Sequence, residues 1–170
     1  MSLLSKTRAF LTSSAVVLML TACAHPELMD PGMTEAAVEE ALGAPNVKVN
    51  LPDESRRWVY SFQGNGQEVW WVNFDRNGRV VGHEEVLDRA HFSLIKPGVH
   101  KEADVWALFG KPAQKSFFSL KNRSAWMYRF KEDKQFNMAC WFEFLPDGTV
   151  AEVGYTIDPW ENDRDLFWDI

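Results

Sequence analysis

The stretch Trp71-Val72-Asn73-Phe74-Asp75-Arg76-Asn77-Gly78-Arg79-Val80 decides the fold of this chain. It contains an apolar run, a turn that ends in Asn-Gly and a return into valine. Both residues of an Asn-Gly pair tolerate the positive φ angles of a tight hairpin turn, so the stretch predicts a β-hairpin. The same order of residue types returns in Trp141-Phe142-Glu143-Phe144-Leu145-Pro146-Asp147-Gly148-Thr149-Val150.

The sequences around the two hairpins also match each other. Pro31-Gly32-Met33 corresponds to Pro97-Gly98-Val99, and Trp58-Val59-Tyr60-Ser61-Phe62 corresponds to Trp126-Met127-Tyr128-Arg129-Phe130. The offset between matching positions grows from 66 to 70 residues along the chain. Small loop insertions produce such a one-way drift, so the pattern predicts a tandem duplication.

Each repeat begins with a helix and continues as antiparallel strands. Thr34 is a good N-cap and Gly43 a good C-terminal residue for the first helix, and the second helix is expected over residues 102–109. Alternating apolar and polar residues follow each helix. We therefore predict an α+β fold of two tandem repeats, 31–90 and 91–158. Each is a short helical pair or a single helix packed on a three- to four-stranded antiparallel sheet.

Residues 1–22 have the features of a bacterial lipoprotein signal peptide. Lys6 and Arg8 provide a positive start, and the apolar stretch that follows is too short for an ordinary membrane span. The segment ends in Leu20-Thr21-Ala22-Cys23, which matches the lipobox, in which the cysteine becomes the acylated first residue. An ordinary signal peptide with an accidental cysteine, or an anchor that is never cleaved, are the alternatives.

The lipobox implies a tri-acylated Cys23 as the first residue of the mature protein. Residues 23–30 would then form a tether to the first repeat. Because Ala24 rather than Asp follows the cysteine, the sorting rule of Gram-negative lipoproteins implies a lipid anchor in the outer membrane, with the protein facing the periplasm. The acyl lipid on Cys23 is the one non-protein group expected, and we predict no other cofactor.

The charge of the chain argues against nucleic-acid binding. The formal net charge is -6 and becomes -8 without the leader, because the leader contains Lys6 and Arg8 but no acid. An acidic chain repels nucleic acid and anionic bilayers. Residues 159–170 form an acidic tail with several aromatic residues and have no counterpart between the repeats.

No residue pattern predicts an enzyme or a metal site. The histidines show no i, i+4 partner, and His83-Glu84-Glu85 lacks the second histidine of a zinc helix and lies in a strand pattern. Gly64-Asn65-Gly66 lacks the third glycine of a dinucleotide loop and predicts a turn. Cys140 is in phase with Phe142 and Phe144, which favours a buried structural cysteine.

Two tryptophans occupy equivalent places in the repeats. If Phe74 and Phe144 face the helices, then Trp71 and Trp141 project from the opposite side of each sheet. Exposed tryptophan and methionine on a sheet are typical of protein-binding surfaces. The alternatives are that the faces are inverted or that the two repeats cover each other's tryptophans. The predicted partner-binding residues are Val59, Val69, Trp71, Met127, Ala139 and Trp141.

These motifs resemble those of the SmpA/OmlA (BamE) lipoprotein domain. The resemblance is carried by Pro31-Gly32-Met33-Thr34, Val38, Leu42-Gly43-Ala44-Pro45, Trp58-Val59-Tyr60 and Phe74-Asp75-Arg76-Asn77-Gly78-Arg79-Val80. The tandem arrangement is similar to that of the β-lactamase inhibitory protein (BLIP), which has two such repeats and binds its target with an aromatic-rich sheet. The likeness covers about residues 28–158 and consists mostly of structural residues.

The resemblance implies an accessory protein of the outer membrane. Proteins of the SmpA/OmlA family face the periplasm, and BamE is a small subunit of the β-barrel assembly machinery, although this chain differs by having two domains. We therefore predict a non-catalytic protein–protein interaction module that binds envelope proteins, with outer-membrane assembly or envelope integrity as its setting. The alternative is an inhibitor or ligand-binding module that uses its sheet faces as BLIP does.

Overall fold

The computed structural model describes residues 24–161; the predicted signal peptide, residues 1–22, the predicted lipidation site Cys23 and residues 162–170 lie outside this range. Two helix-and-sheet units follow one another, which confirms the predicted α+β class. Among the described residues, no helix is both long and apolar enough to cross a membrane. The elements are α1 Glu35–Leu42, β1 Val47–Asn50, β2 Arg56–Ser61, β3 Val69–Phe74, β4 Val80–Glu85, α2 Arg89–Phe92, α3 Glu102–Phe109, β5 Gln114–Phe118, β6 Arg123–Glu132, β7 Phe136–Phe144 and β8 Val150–Ile157.

Each repeat contains an antiparallel meander of four strands. Sheet 1 has the order β1-β2-β3-β4 and sheet 2 the order β5-β6-β7-β8. The predicted border between residues 90 and 91 falls inside α2, whose Phe92 packs in the second core. The side chain of Asp88 caps α2 by accepting a hydrogen bond from the His91 amide at 2.8 Å.

The repeats agree in their irregular features as well as in their strands. A register shift interrupts the pairing at Asn73/Phe74 in sheet 1 and at Glu143/Phe144 in sheet 2. The Tyr60 hydroxyl in β2 donates to the carbonyl of Gly43, which ends α1, and the Tyr128 hydroxyl in β6 donates to the carbonyl of Gly110, which ends α3. Bulges and side-chain hydrogen bonds at matching positions of the two repeats are what a tandem duplication predicts.

Both predicted hairpins form, and their turns are longer than a two-residue Asn-Gly turn. In both turns the glycine has a positive φ, +74° for Gly78 and +79° for Gly148, but Asn77 does not. The carboxylate of Asp75 accepts hydrogen bonds from the Asn77 and Arg79 amides, each at 2.9 Å, and this holds a longer turn. Asp147 accepts one from the Thr149 amide in the same way. The turns therefore depend on an aspartate and a left-handed glycine.

The elements stack in four layers. Helix α1 packs on one face of sheet 1, where Val38 shares a core with Val72 and Phe74. The other face of sheet 1 packs against α2 and α3, and the same two helices pack on the inner face of sheet 2. The second repeat's helices are therefore buried between two sheets. The shared core contains Val59, Val69, Trp71, Phe92, Val105, Phe109, Tyr128, Phe130, Phe142 and Phe144, among others.

Polar side chains join the repeats along the edge of this core. Gln63, 1% exposed, extends from the end of β2 to the free edge of β6. Its amide oxygen accepts a hydrogen bond from the Arg129 N–H at 2.7 Å, and its amide nitrogen donates to the Arg129 carbonyl at 2.9 Å. The side chain thus pairs with β6 as a strand residue would, and it satisfies buried backbone groups.

Residues 24–30 pack on the first repeat, which corrects the prediction of a free tether. Ala24 contacts the core of α1 and sheet 1, and Met29 is 4% exposed. The His25 ring lies edge-on to Trp70, with 5.1 Å between the ring centroids. The segment contains a 3-10 turn at Pro26–Leu28. The chain is therefore held against sheet 1 from Ala24 onward.

The Gln63 bonds predict a specific loss of stability. Gln63→Ala leaves the Arg129 N–H and carbonyl buried without partners, so we expect the free energy of unfolding to fall by about 3 kcal/mol. Urea denaturation followed by tryptophan fluorescence measures the change. Gln114→Ala is the control, because Gln114 is exposed and should change stability by less than about 0.5 kcal/mol. Equal midpoints for the two variants would contradict the role of Gln63.

A candidate binding cleft between the repeats

The predicted partner-binding face of the first repeat is buried. Trp71 is 4% exposed, and Val59 and Val69 have no exposed surface. The faces were assigned correctly from the sequence, since Phe74 and Phe144 both contact helices. The expectation of a bare opposite side was wrong for sheet 1, because α3 of the second repeat covers it.

Trp71 is held from several sides within the shared core. Its indole N–H donates to the Leu108 carbonyl in the last turn of α3 at 2.6 Å. The Arg57 guanidinium lies 3.6 Å from the ring centroid, and the His91 ring meets it edge-on. These contacts connect sheet 1 to α3 through Trp71. Because its side chain is already packed inside the protein, Trp71 is not available to bind a partner.

The equivalent face of the second repeat is the outer face of sheet 2. Met127 and Ala139 lie there and are fully buried, so the prediction that they bind a partner is also wrong. Their cross-strand neighbours explain the burial, because Met127 lies opposite Trp141 and Ala139 lies opposite the larger Arg129. Of the six predicted residues, Trp141 alone is partly exposed, and its indole N–H donates to the Thr156 hydroxyl at 3.2 Å.

The structure also shows where the cysteine and the histidine-containing segment singled out in the sequence lie. Cys140 is buried in the shared core as expected, and burial raises the pKa of its thiol well above the ordinary value. His83 and Glu84 lie in β4. Among residues 24–161, no group of three or more His, Cys, Asp or Glu side chains is close enough to hold a metal ion.

A cleft of about 690 Å³ opens where the β2–β3 turn of the first repeat faces the β6–β7 hairpin of the second. Neither repeat forms it alone. Pockets at such seams are common ligand sites, because two units supply walls that neither could build separately. The cleft is lined by Glu27, Asn65, Gly66, Gln67, Glu68, Trp70, Glu85, Arg129, Lys131, Lys134, Asn137 and Glu161.

The wall from the first repeat is acidic and contains one indole. Glu68 accepts hydrogen bonds from the Trp70 indole N–H at 2.8 Å and from the His25 ring at 3.0 Å. Glu85, at the end of β4, is half-buried and accepts a hydrogen bond from the Leu87 amide. Burial raises the pKa of Glu85 above its ordinary value, since its carboxylate loses water without gaining a cation.

A tight turn positions this wall. The Gly66 amide donates to the Phe62 carbonyl at 2.8 Å. A β-carbon on Gly66 would lie 3.0 Å from the same oxygen, which is tighter than most such contacts, so the close approach favours glycine. Gly64-Asn65-Gly66 is therefore a turn, as predicted, and it places Gln67 and Glu68 at the mouth of the cleft.

The wall from the second repeat is basic. Arg129 is bound to Asp158 at 2.7 Å, and its guanidinium lies over the Trp160 ring, 4.4 Å from the centroid. Lys131 and Lys134 differ from it, since neither forms an ion pair with a carboxylate of residues 24–161. The Asn137 side-chain oxygen is buried and has no hydrogen-bond partner in that range. The ammonium groups of Lys131 and Lys134 therefore line the cleft without ion-pair partners on the opposite wall.

Lys134 has an unfavourable backbone conformation. Its φ is +60° and that of Asp133 is +51°, so the β6–β7 hairpin has both central residues in the left-handed region. Asparagine and glycine are the usual residues of such a turn. A lysine there costs about 1–2 kcal/mol of backbone strain. Strained residues often lie at binding sites, where the side chain has a use other than stability.

The sequence analysis assigned no residue of this cleft to a binding site. Trp70 and Glu85 come from strands of the first repeat, whereas Lys131 and Lys134 come from a hairpin 46 to 64 residues later. The Glu-Asp-Lys-Gln hairpin without a glycine was the local signal of a strained turn. Nothing in the sequence places it opposite the Gly64-Asn65-Gly66 turn.

The two tryptophans predict a contrast in stability. Trp71→Ala removes a buried indole between sheet 1 and α3, and we expect a loss of about 3–5 kcal/mol. Trp141→Ala removes a partly exposed indole, so the expected loss is about half of that or less. Urea unfolding of both variants measures the difference. A larger loss for Trp141→Ala would contradict the layer order described above.

The strain at Lys134 predicts a substitution that stabilises the protein. Lys134→Gly relieves the left-handed strain, which outweighs the entropy cost of glycine, so the free energy of unfolding should rise by up to about 1 kcal/mol. Lys131→Gly, in β6, should lower it by about 0.5–1 kcal/mol instead. Thermal unfolding of the pair tests this, and a lower melting temperature for Lys134→Gly than for the parent protein would disprove the strain.

No family model matches the chain, and no curated protein matches it. A solved structure with some likeness is the crystal structure of a DUF4309 family protein (YjgB) from Bacillus subtilis subsp. subtilis str. 168. It shares 13% sequence identity with this chain over 74% of this chain and 78% of the other, with a TM-score of 0.33. A likeness of this size carries no conclusion about fold or function.

Proposed function

We propose that this chain is a lipid-anchored envelope protein that acts without catalysis, by binding another component of the envelope in the cleft between its repeats. The observation that carries the proposal is charge on both walls that has no ion-pair partner. Lys131 and Lys134 on one wall and Glu85 on the other form no ion pair among residues 24–161, and Glu68 is bonded to His25 of its own wall. Unneutralised groups of this kind are available to a ligand.

The shape of the cleft supports the same function. Its volume of about 690 Å³ is suited to a small molecule or to a short segment of a larger one. Its floor is rigid, because Gln63 and the shared core hold the repeats together. A rigid site binds with less loss of entropy than a flexible one.

The lipobox supports the envelope as the setting. Cys23 is bonded directly to Ala24, which packs on the first repeat close to Trp70. An acylated Cys23 would hold the mouth of the cleft near the surface of the bilayer. The role in outer-membrane assembly that the SmpA/OmlA resemblance implies, and β-barrel assembly proteins as partners, remain predictions of this proposal.

The proposal is tested by photocrosslinking in intact Gram-negative cells. A photoreactive residue replaces Asn65, which lines the cleft and is exposed but uncharged. The same residue at Phe117, 64% exposed and outside the cleft, is the matched control. We expect an adduct with one envelope protein or lipid from Asn65 and none of that species from Phe117.

Lipid attachment is measured in the same cells. We expect the protein to incorporate labelled palmitate and the Cys23→Ser variant to incorporate none. Identical adducts from Asn65 and Phe117, or no adduct from Asn65 in a folded and lipidated protein, would show that the cleft is not the binding site.

A further inference from the structure

We propose that the cleft binds the zwitterionic headgroup of a phospholipid, an ammonium joined to a phosphate as in phosphoethanolamine. This inference rests on the proposed function and names its ligand. The ammonium would lie against Glu68 and Glu85 of the first repeat. The phosphate would lie between Lys131 and Lys134 of the second.

The acidic wall has the chemistry that an ammonium requires. Carboxylates accept its N–H donors in short, charge-assisted hydrogen bonds. Glu85 is half-buried without a cationic partner, and a bound ammonium would supply one. The Trp70 indole beside Glu68 provides an aromatic surface, which favours a cation.

The basic wall has the chemistry that a phosphate requires. Lys131 and Lys134 are exposed and carry three N–H donors each. Lys134 is presented by a strained hairpin, and Arg129 behind it is already bound to Asp158. The carboxylates of the opposite wall, Glu68 and Glu85, disfavour a ligand with more than one net negative charge. A phosphate joined to an ammonium carries no such excess of negative charge.

The position of the anchor selects a lipid over a free metabolite. Ala24 follows Cys23 directly and packs against the first core, and His25 contacts both Glu68 and Trp70. No free linker of described residues separates the acylation point from the cleft. A lipid on Cys23 would therefore bring the cleft to the bilayer surface, where headgroups are present at high effective concentration.

The experiment is calorimetric titration of the lipidated protein in non-ionic micelles with water-soluble headgroups. Glycerophosphoethanolamine carries both charges. Glycerol 3-phosphate lacks the ammonium, glycerophosphocholine lacks its N–H donors, and alanyl-alanine carries a carboxylate in place of the phosphate. We expect glycerophosphoethanolamine to bind about tenfold more tightly than each of the other three, since each lacks one charge-assisted contact.

Variants of the two walls test which residues bind the ammonium and which bind the phosphate. Glu85→Gln and Lys134→Gly should each weaken binding of glycerophosphoethanolamine about tenfold. Lys134→Gly is the sharper test, because that variant should be at least as stable as the parent protein, and so weaker binding cannot come from unfolding. Lys96→Met and Glu54→Gln, which are exposed and outside the cleft, should bind as the parent does.

The outcomes separate this inference from the proposed function. Equal binding of all four compounds, stronger binding of alanyl-alanine, or no heat with any of them would overturn the headgroup assignment. A crosslink from Asn65 to an envelope protein would then leave the cleft as a binding site for a different ligand. If Asn65 gives no crosslink and none of the four compounds gives a heat of binding, both the proposed function and the headgroup assignment are wrong.

Discussion

The burial of α3 between two sheets is the constraint on which the rest of the structure depends. A repeat of this size can scarcely build a sufficient core alone. Sheet 1 covers α1 on one side, and on the other it covers the helices of the second repeat. Phe109 stacks on Phe142 of sheet 2, while the Leu108 carbonyl accepts the Trp71 indole of sheet 1. One eight-residue helix thus joins both repeats.

The cleft is a consequence of this packing. Once the shared helices set the distance between the sheets, the β2–β3 turn and the β6–β7 hairpin must face each other across the seam. Gln63 then fixes their register by bonding both backbone groups of Arg129. The contact between the repeats therefore completes the core, and it also forms a rigid cleft whose walls come from different repeats.

Stability and binding make opposite demands at this cleft. A glycine at position 134 would relieve backbone strain, and a carboxylate near Lys131 would neutralise its charge. The protein instead keeps a lysine at φ +60° and a half-buried Glu85 with a raised pKa. Unrelieved strain and unpaired charge in one place are more easily understood as features of a binding site than of a purely structural seam.

The sequence by itself determined the repeat, the α+β class, the limits of α3 and the face of each sheet that packs on the helix of its own repeat. These features depend on local periodicity and capping, as in Thr34, Phe74 and Phe144. Only the tertiary structure decided that Trp71 is buried and that Lys134 and Glu85 line the same cleft. The second face of sheet 1 is buried because helices of the next repeat pack on it, and the residue pattern within β3 contains no information about those helices.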